Sequence, residues 1–146
     1  MSESKLVLDR VFHATLDAVW AAQSDPELFA KWYGQPGQLT DVDMEFQVGG
    51  RWHGTTIFDG GEFKQIGIYT VIEPKTRIEF DFPFEDKPDA PREHMLFTFK
   101  EVGDTVEMHF EQSGSNVPPE EYNTGLRHGW MGFFDALTTL VEAPAA

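Results

Sequence analysis

The chain has no cysteine, few basic residues and no long apolar run. Without cysteine there is no disulfide, no thiolate nucleophile and no Cys-based zinc or iron–sulfur site. Eleven Lys and Arg stand against 25 Asp and Glu, a formal net charge of −14 at pH 7. Phosphate backbones need Lys and Arg, so nucleic acid is excluded as a partner. An anionic membrane surface is disfavoured for the same reason. The acidity reads as solubility rather than as a recognition face. No apolar run approaches the roughly 18–20 residues of a membrane-spanning helix. Met1 to Lys5 is polar and leads into no apolar signal region. A soluble, cytoplasmic protein with no membrane partner is therefore the expectation.

Aromatic residues are abundant: 14% of the chain, with 13 Phe and 4 Trp among 146 residues. Each carries a large buried area, so a few strands suffice to enclose a wide core or cavity. The length suits one domain spanning 1–146, with about 68–70% of the unfolded surface buried. No linker, repeat or low-complexity segment divides it.

Residues Leu126 to Val141 stand out. Leu126, Trp130, Phe133, Phe134, Leu137, Leu140 and Val141 recur at three- and four-residue steps, one apolar helix face. Such a face must lie against something. Glu120 and Glu121 are expected to supply acidic residues at the start of this helix. Upstream, the pattern is mostly that of strands. Leu6 to Phe12 reads as the first. Thr15 is a candidate N-cap for a short helix carrying Leu16, Val19 and Trp20. Asp25-Pro26 opens a second, carrying Leu28, Phe29 and Trp32. Gly34-Gln35-Pro36-Gly37 is a loop by composition.

After that loop the period changes from helical to alternating. Val42, Met44, Phe46 and Val48 alternate with acidic or polar residues, a half-buried strand broken by Gly49-Gly50. Trp52 to Phe58 and Phe63 to Ile72 flank Asp59-Gly60-Gly61, a hairpin signal. Arg77 to Phe84 places Ile78, Phe80, Phe82 and Phe84 on one face. Glu85 to Arg92, with two prolines, reads as an exposed loop. His94 to Lys100 places Met95, Phe97 and Phe99 together, and Thr105 to Gln112 does so with Val106, Met108 and Phe110. Ser113 to Pro119 reads as a loop and Ala143 to Ala146 as a frayed tail. Short loops imply antiparallel pairing, and segregated helices imply an α+β fold.

Several short motifs run in a set order. They are Ala14-Thr15-Leu16-Asp17-Ala18-Val19-Trp20, Asp25-Pro26-Glu27-Leu28 with Lys31-Trp32, Val48-Gly49-Gly50-Arg51-Trp52, Gly67-Ile68-Tyr69 before Glu73-Pro74, and Gly129-Trp130. Together they resemble the activator of heat shock protein 90 ATPase homologue-like proteins of the START-like (SRPBCC, Bet v-type) superfamily. The resemblance runs from Leu6 to Val141. It implies a helix-grip fold: a curved antiparallel sheet around the long C-terminal helix, with two short helices closing the other end. It also implies an interior cavity, which superfamily members use for lipids, sterols, polyketides or other apolar ligands.

The candidate ligand-binding residues are the aromatic interior. Strands contribute Trp52, Tyr69, Phe80, Phe82, Phe97, Phe99 and Met108; the last helix contributes Trp130, Phe133, Phe134 and Leu137. Thr56 and Tyr69 offer hydroxyls to orient a ligand. Ligand pockets are mostly apolar with a few polar groups, yet a plain packed core uses the same residues. Trp130 and Phe134 are expected at the wall of any pocket. Gly125, Gly129 and Gly132 each cost the helix about 1 kcal/mol against Ala; close helix–sheet packing is the expected reason. Gly49-Gly50 lacks the strand–glycine–helix setting of a phosphate loop and reads as a bulge or tight bend.

No catalytic constellation is visible. His13, His53, His94, His109 and His128 show neither HxH nor HExxH spacing, so no metal is expected and surface positions are the reading for all five. Glu45, Asp81 and Glu107 alternate with apolar residues and so face outward. Arg10 shares parity with Leu8 and Phe12; its two readings are a carboxylate or ligand-anion partner and snorkelling to water, and the second is preferred. No cofactor is expected. The partner expected is a small apolar ligand; homodimerisation stays open. Two alternatives remain: a cyclase, aromatase or hydrolase-like enzyme, which requires a titratable group inside the cavity, and a co-chaperone-like protein-interaction domain.

Overall fold

Among the described residues, alternating apolar residues give seven strands, and the two helix signatures near the N-terminus and the one at the C-terminus give three helices. The computed structural model describes residues 4–33, 39–58, 61–83, 92–114, 120 and 124–142. For residues 4, 39–41, 56–58, 61–65, 83, 92, 125 and 126 it describes the backbone alone. In chain order the elements are β1 (Ser4–Phe12), α1 (Leu16–Ser24), α2 (Pro26–Trp32), β2 (Leu39–Met44), β3 (Arg51–Phe58), β4 (Gly61–Glu73), β5 (Arg77–Pro83), β6 (Arg92–Val102), β7 (Thr105–Gly114) and α3 (Gly125–Glu142).

The strands form one antiparallel sheet in the order β1-β7-β6-β5-β4-β3-β2. Successive strands from β2 to β7 pair as hairpins. The first strand closes the far edge, with Leu6 opposite Gln112 and Phe12 opposite Val106. Between β1 and β2 the chain must cross the whole sheet, and α1 and α2 make that crossing. The sheet curves and α3 packs against its inner face, the helix-grip arrangement.

Capping chemistry starts both short helices. Thr15 accepts from the Ala18 N–H at 3.1 Å, and Asp25 accepts from the Glu27 N–H at 2.9 Å with Pro26 in the first helical position. The indole N–H of Trp32 closes the pair by donating to the Ala22 carbonyl at 2.9 Å. The inner face of the sheet and the apolar stripe of α3 then meet in one buried cluster that includes Phe29, Trp32 and Tyr33.

Several boundaries differ from expectation. The second strand ends at Met44, not Val48. The chain turns between Glu45 and Gly50, where Gly49 takes φ 85° and the Gly50 N–H donates to the Gln47 carbonyl. Phe46 nonetheless packs partly buried against the core. A Cβ at Gly50 would lie 2.2 Å from the Glu45 carbonyl oxygen, so the tight bend is the reason for this glycine pair. The last helix has no acidic residue in its first turn. Glu120 lies ahead of it, and its carbonyl accepts from the Thr124 hydroxyl at 2.9 Å. The sixth strand begins at Arg92, inside the stretch read as a loop. Gly34 to Gly37, Asp59-Gly60, Phe84 to Pro91, Ser115 to Pro119, Glu121 and Ala143 to Ala146 lie outside the described residues.

Candidate functional site

The sheet brings its inner-facing residues under α3. Of the sequence candidates, Trp52, Tyr69, Phe80, Phe82, Phe97, Phe99, Met108, Trp130, Phe134 and Leu137 are all buried in one cluster, and Phe133 is partly buried against it. The side chain of Thr56 lies outside the described residues; its backbone pairs with Phe63. The two short helices add what the sequence reading left out of this set. Phe29 and Tyr33 meet the Trp52 ring at centroid distances of 5.1 and 4.9 Å, and Trp32 meets Phe134 at 6.3 Å.

Trp130 sits at the centre. Its ring meets Phe110 at 4.4 Å, Phe134 at 5.6 Å, Tyr33 at 5.7 Å and Phe97 at 6.3 Å. Such aromatic pairs each add about 0.5–1.5 kcal/mol beyond their buried area. The enclosing groups thus come from β6, β7, the C-cap of α2 and α3 itself. The reason expected for the helix glycines fails at Gly129: a Cβ there meets nothing within 4 Å, so close packing does not require this glycine.

The interior is not wholly apolar. Glu93 is 0% exposed and Gln112 3%. The Trp130 indole N–H donates to Gln112 Oε1 at 2.7 Å, and the Gln112 amide donates to Glu93 Oε1 at 3.0 Å. A chain of buried hydrogen bonds therefore links α3, β7 and β6. Burying these groups is tolerated because they satisfy one another. Glu93 fits because β7 has a glycine beside it: a Cβ on Gly114, where φ is 153°, would sit 2.0 Å from Glu93 Oε2. Both residues were within reach of sequence reasoning. Gln112 continues the parity of Val106, Met108 and Phe110, and Glu93 precedes Met95, Phe97 and Phe99 by the same step.

A second polar group lies at the other wall. Trp52, 0% exposed, has an indole N–H with no hydrogen-bond partner among the described residues. It lies across Gly67, its cross-strand neighbour, where a Cβ would come within 1.9 Å of Nε1. Tyr33 and Tyr69 are 3% and 2% exposed. Burial pushes both hydroxyls well above the ordinary tyrosine range, and Tyr69 raises Tyr33 further. Both therefore stay protonated. Tyr69 is held by the bend before β3: its N–H donates to the Gly50 carbonyl and its carbonyl accepts from Gly49.

The histidines sort differently. His13, His53 and His128 are exposed. His94 and His109 face outward as expected, but each bridges two carboxylates. His94 meets Asp81 at 2.7 Å and Glu79 at 2.6 Å; His109 meets Asp9 and Glu111, both at 2.6 Å. Arg10 corrects its reading. Rather than ending in water, it donates to Asp135 at 2.9 Å and Thr138 at 3.2 Å on α3. A surface groove of about 430 Å³ runs beside His109 and includes Asp9, Lys100 and Glu107. It mixes charges of both signs, so it defines no ligand class.

Sheet, grip helix and aromatic interior define a START-like helix-grip protein. The family described as Activator of Hsp90 ATPase homolog 1-like protein matches residues 13–142, and the chain belongs to that family. No curated protein compared with it matches. Solved structures similar to it include a Nitrosomonas europaea protein, 18% identical, covering 94% of this chain and 93% of that one with a TM-score of 0.80. A Staphylococcus aureus protein of unknown function is 13% identical over 97% and 94%, with a TM-score of 0.81. A Chromobacterium violaceum protein is 22% identical over 97% and 99%, with a TM-score of 0.77. At these identities the likeness is one of fold. Among the described residues no helix is long and apolar enough to cross a membrane.

Proposed function

We propose that the chain binds a small apolar or amphipathic molecule between α3 and the inner face of the sheet. The observation that carries this reading is the make-up of the interior: an aromatic cluster from every layer of the fold, with the Glu93–Gln112–Trp130 chain buried inside it. Apolar walls with a few placed polar groups are what small-molecule sites are made of. Native mass spectrometry with lipid, sterol and polycyclic aromatic libraries tests it. The expected result is a retained ligand whose binding is lost in Phe134→Ala. Absence of any mass shift across all three libraries overturns the reading.

An enzyme of the cyclase, aromatase or hydrolase-like kind is the second reading, and one observation favours it. Such chemistry needs a titratable group inside, and Glu93 is one. Turnover of a bound library member that stops in Glu93→Gln, with binding retained, would select this reading over simple binding.

A further inference from the structure

The unsatisfied donor at Trp52 suggests which end of a ligand lies where. An indole N–H can only donate. Left unpartnered in an apolar interior it is a cost, and native proteins rarely keep one without a use. Trp52 is fully buried and Nε1 has no partner among the described residues. The indole lies over Gly67, where any Cβ would collide with it.

Two further hydroxyls lie on the same side. The Tyr33 ring meets the Trp52 ring at 4.9 Å. Tyr69 follows Gly67, the cross-strand partner of Trp52, by two residues on β4 and so shares its face of the sheet. Of the buried side chains with acceptor oxygens, Gln112 and Glu93 stand on β7 and β6 and are tied to Trp130, and Gln23 stands on α1. Among the described residues the buried unpartnered donors are thus Trp52 Nε1 on β3 and the Gln23 amide on α1, while the network toward β6, β7 and α3 is satisfied.

Resting on the interior binding proposed above, we infer that Trp52, Tyr33 and Tyr69 form a donor subsite that receives a neutral acceptor oxygen, such as a ketone, of a flat apolar ligand. A carboxylate is the wrong partner. It would lose its hydration in an interior with no Lys or Arg among its described buried residues, inside a chain of net charge −14. A neutral carbonyl takes up the free donors without that loss.

A matched pair of probes isolates the oxygen. Fluorenone and fluorene share a flat tricyclic frame, and only fluorenone carries an acceptor. Equilibrium dialysis against the full chain should show fluorenone bound about three- to tenfold more tightly, the worth of one net hydrogen bond. Trp52→Phe should reduce the ratio to about one. Tyr33→Phe and Tyr69→Phe keep their rings, and at least one should lower the ratio too, which decides the matter if Trp52→Phe does not fold. Equal binding of both probes by the wild-type chain overturns the donor subsite and leaves interior binding standing. A preference that survives all three variants overturns it as well. Failure of both probes to bind overturns the donor subsite, while the interior reading stands or falls with the library screen.

Discussion

Gln112 is the residue on which the buried polar chain turns. Its oxygen accepts from Trp130 and its amide donates to Glu93, so it serves one partner on a helix and one on a strand. Replacing it with leucine removes both bonds and strands two buried polar groups, each costing about 1–3 kcal/mol. Gln112→Leu is therefore expected to lower stability by at least about 2 kcal/mol in urea unfolding followed by fluorescence. A loss under about 0.5 kcal/mol would mean that the network is not holding α3 to the sheet. Parity alone puts Gln112 inside, because it follows Phe110 by two. What parity does not disclose is the partner. Trp130 lies 18 residues further on, and only the packing of α3 brings its N–H to the glutamine oxygen.

Individual elements are held by groups at their edges. The grip helix is tied to the first strand in two places. Arg127 donates to the Val7 carbonyl at 3.2 Å, and Arg10 reaches Asp135 and Thr138. A third bond, from the His13 N–H to Glu142 at 2.8 Å, ties the far end of the helix to the residue after β1. On the outer face, His94 bridges β6 to β5, and His109 bridges β7 to β1. Burial works to lower His94, but its hydrogen bonds to Asp81 and Glu79 prevail and its pKa is raised. His109 is raised by Glu111 and Asp9. Burial works to raise Glu79, and His94 and Arg77 overcome it to hold the carboxyl low; Lys5 and then His109 do the same for Glu111.

The sign of the pH dependence follows. A histidine whose folded pKa lies above its unfolded value of about 6.5 contributes fully below that value, and the contribution is lost as pH rises through the folded pKa. The two glutamates contribute above their unfolded value of about 4.3 and lose the contribution as pH falls through their lowered folded pKa. Both histidines are more than a third exposed, so solvent screening keeps the effect small. Urea midpoints should fall modestly from pH 6 to pH 9, and His94→Gln with His109→Gln should flatten that slope. An unchanged slope in the double variant would show that the bridges do not titrate in this window.

At the scale of the molecule, a ligand held between α3 and the sheet stabilises the fold by mass action. Saturation at a hundred times the dissociation constant adds about 2.7 kcal/mol. Calorimetry should show a concentration-dependent rise in Tm with any library member retained in native mass spectrometry. A retained compound that leaves Tm unmoved binds elsewhere, for example in the mixed-charge groove beside His109.

Strand order by hairpins, the capped short helices and the apolar stripe of α3 were all legible along the chain. They depend on local spacing: a period of two, a period of 3.6, and the chemistry of Thr15 and Asp25. So was the membership of most of the aromatic interior, since a strand residue's face follows from its parity. Three things depended on the tertiary structure. The bend at Glu45–Gly50 ended a strand whose alternation continued to Val48, because Gly49 and Gly50 pair with Tyr69 on β4. Arg10 found Asp135 across 125 residues. The orphan donor of Trp52 and the satisfied one of Trp130 have identical chemistry in sequence. Whether an indole N–H meets an oxygen depends on which distant strand lies beneath it, and no local pattern carries that information.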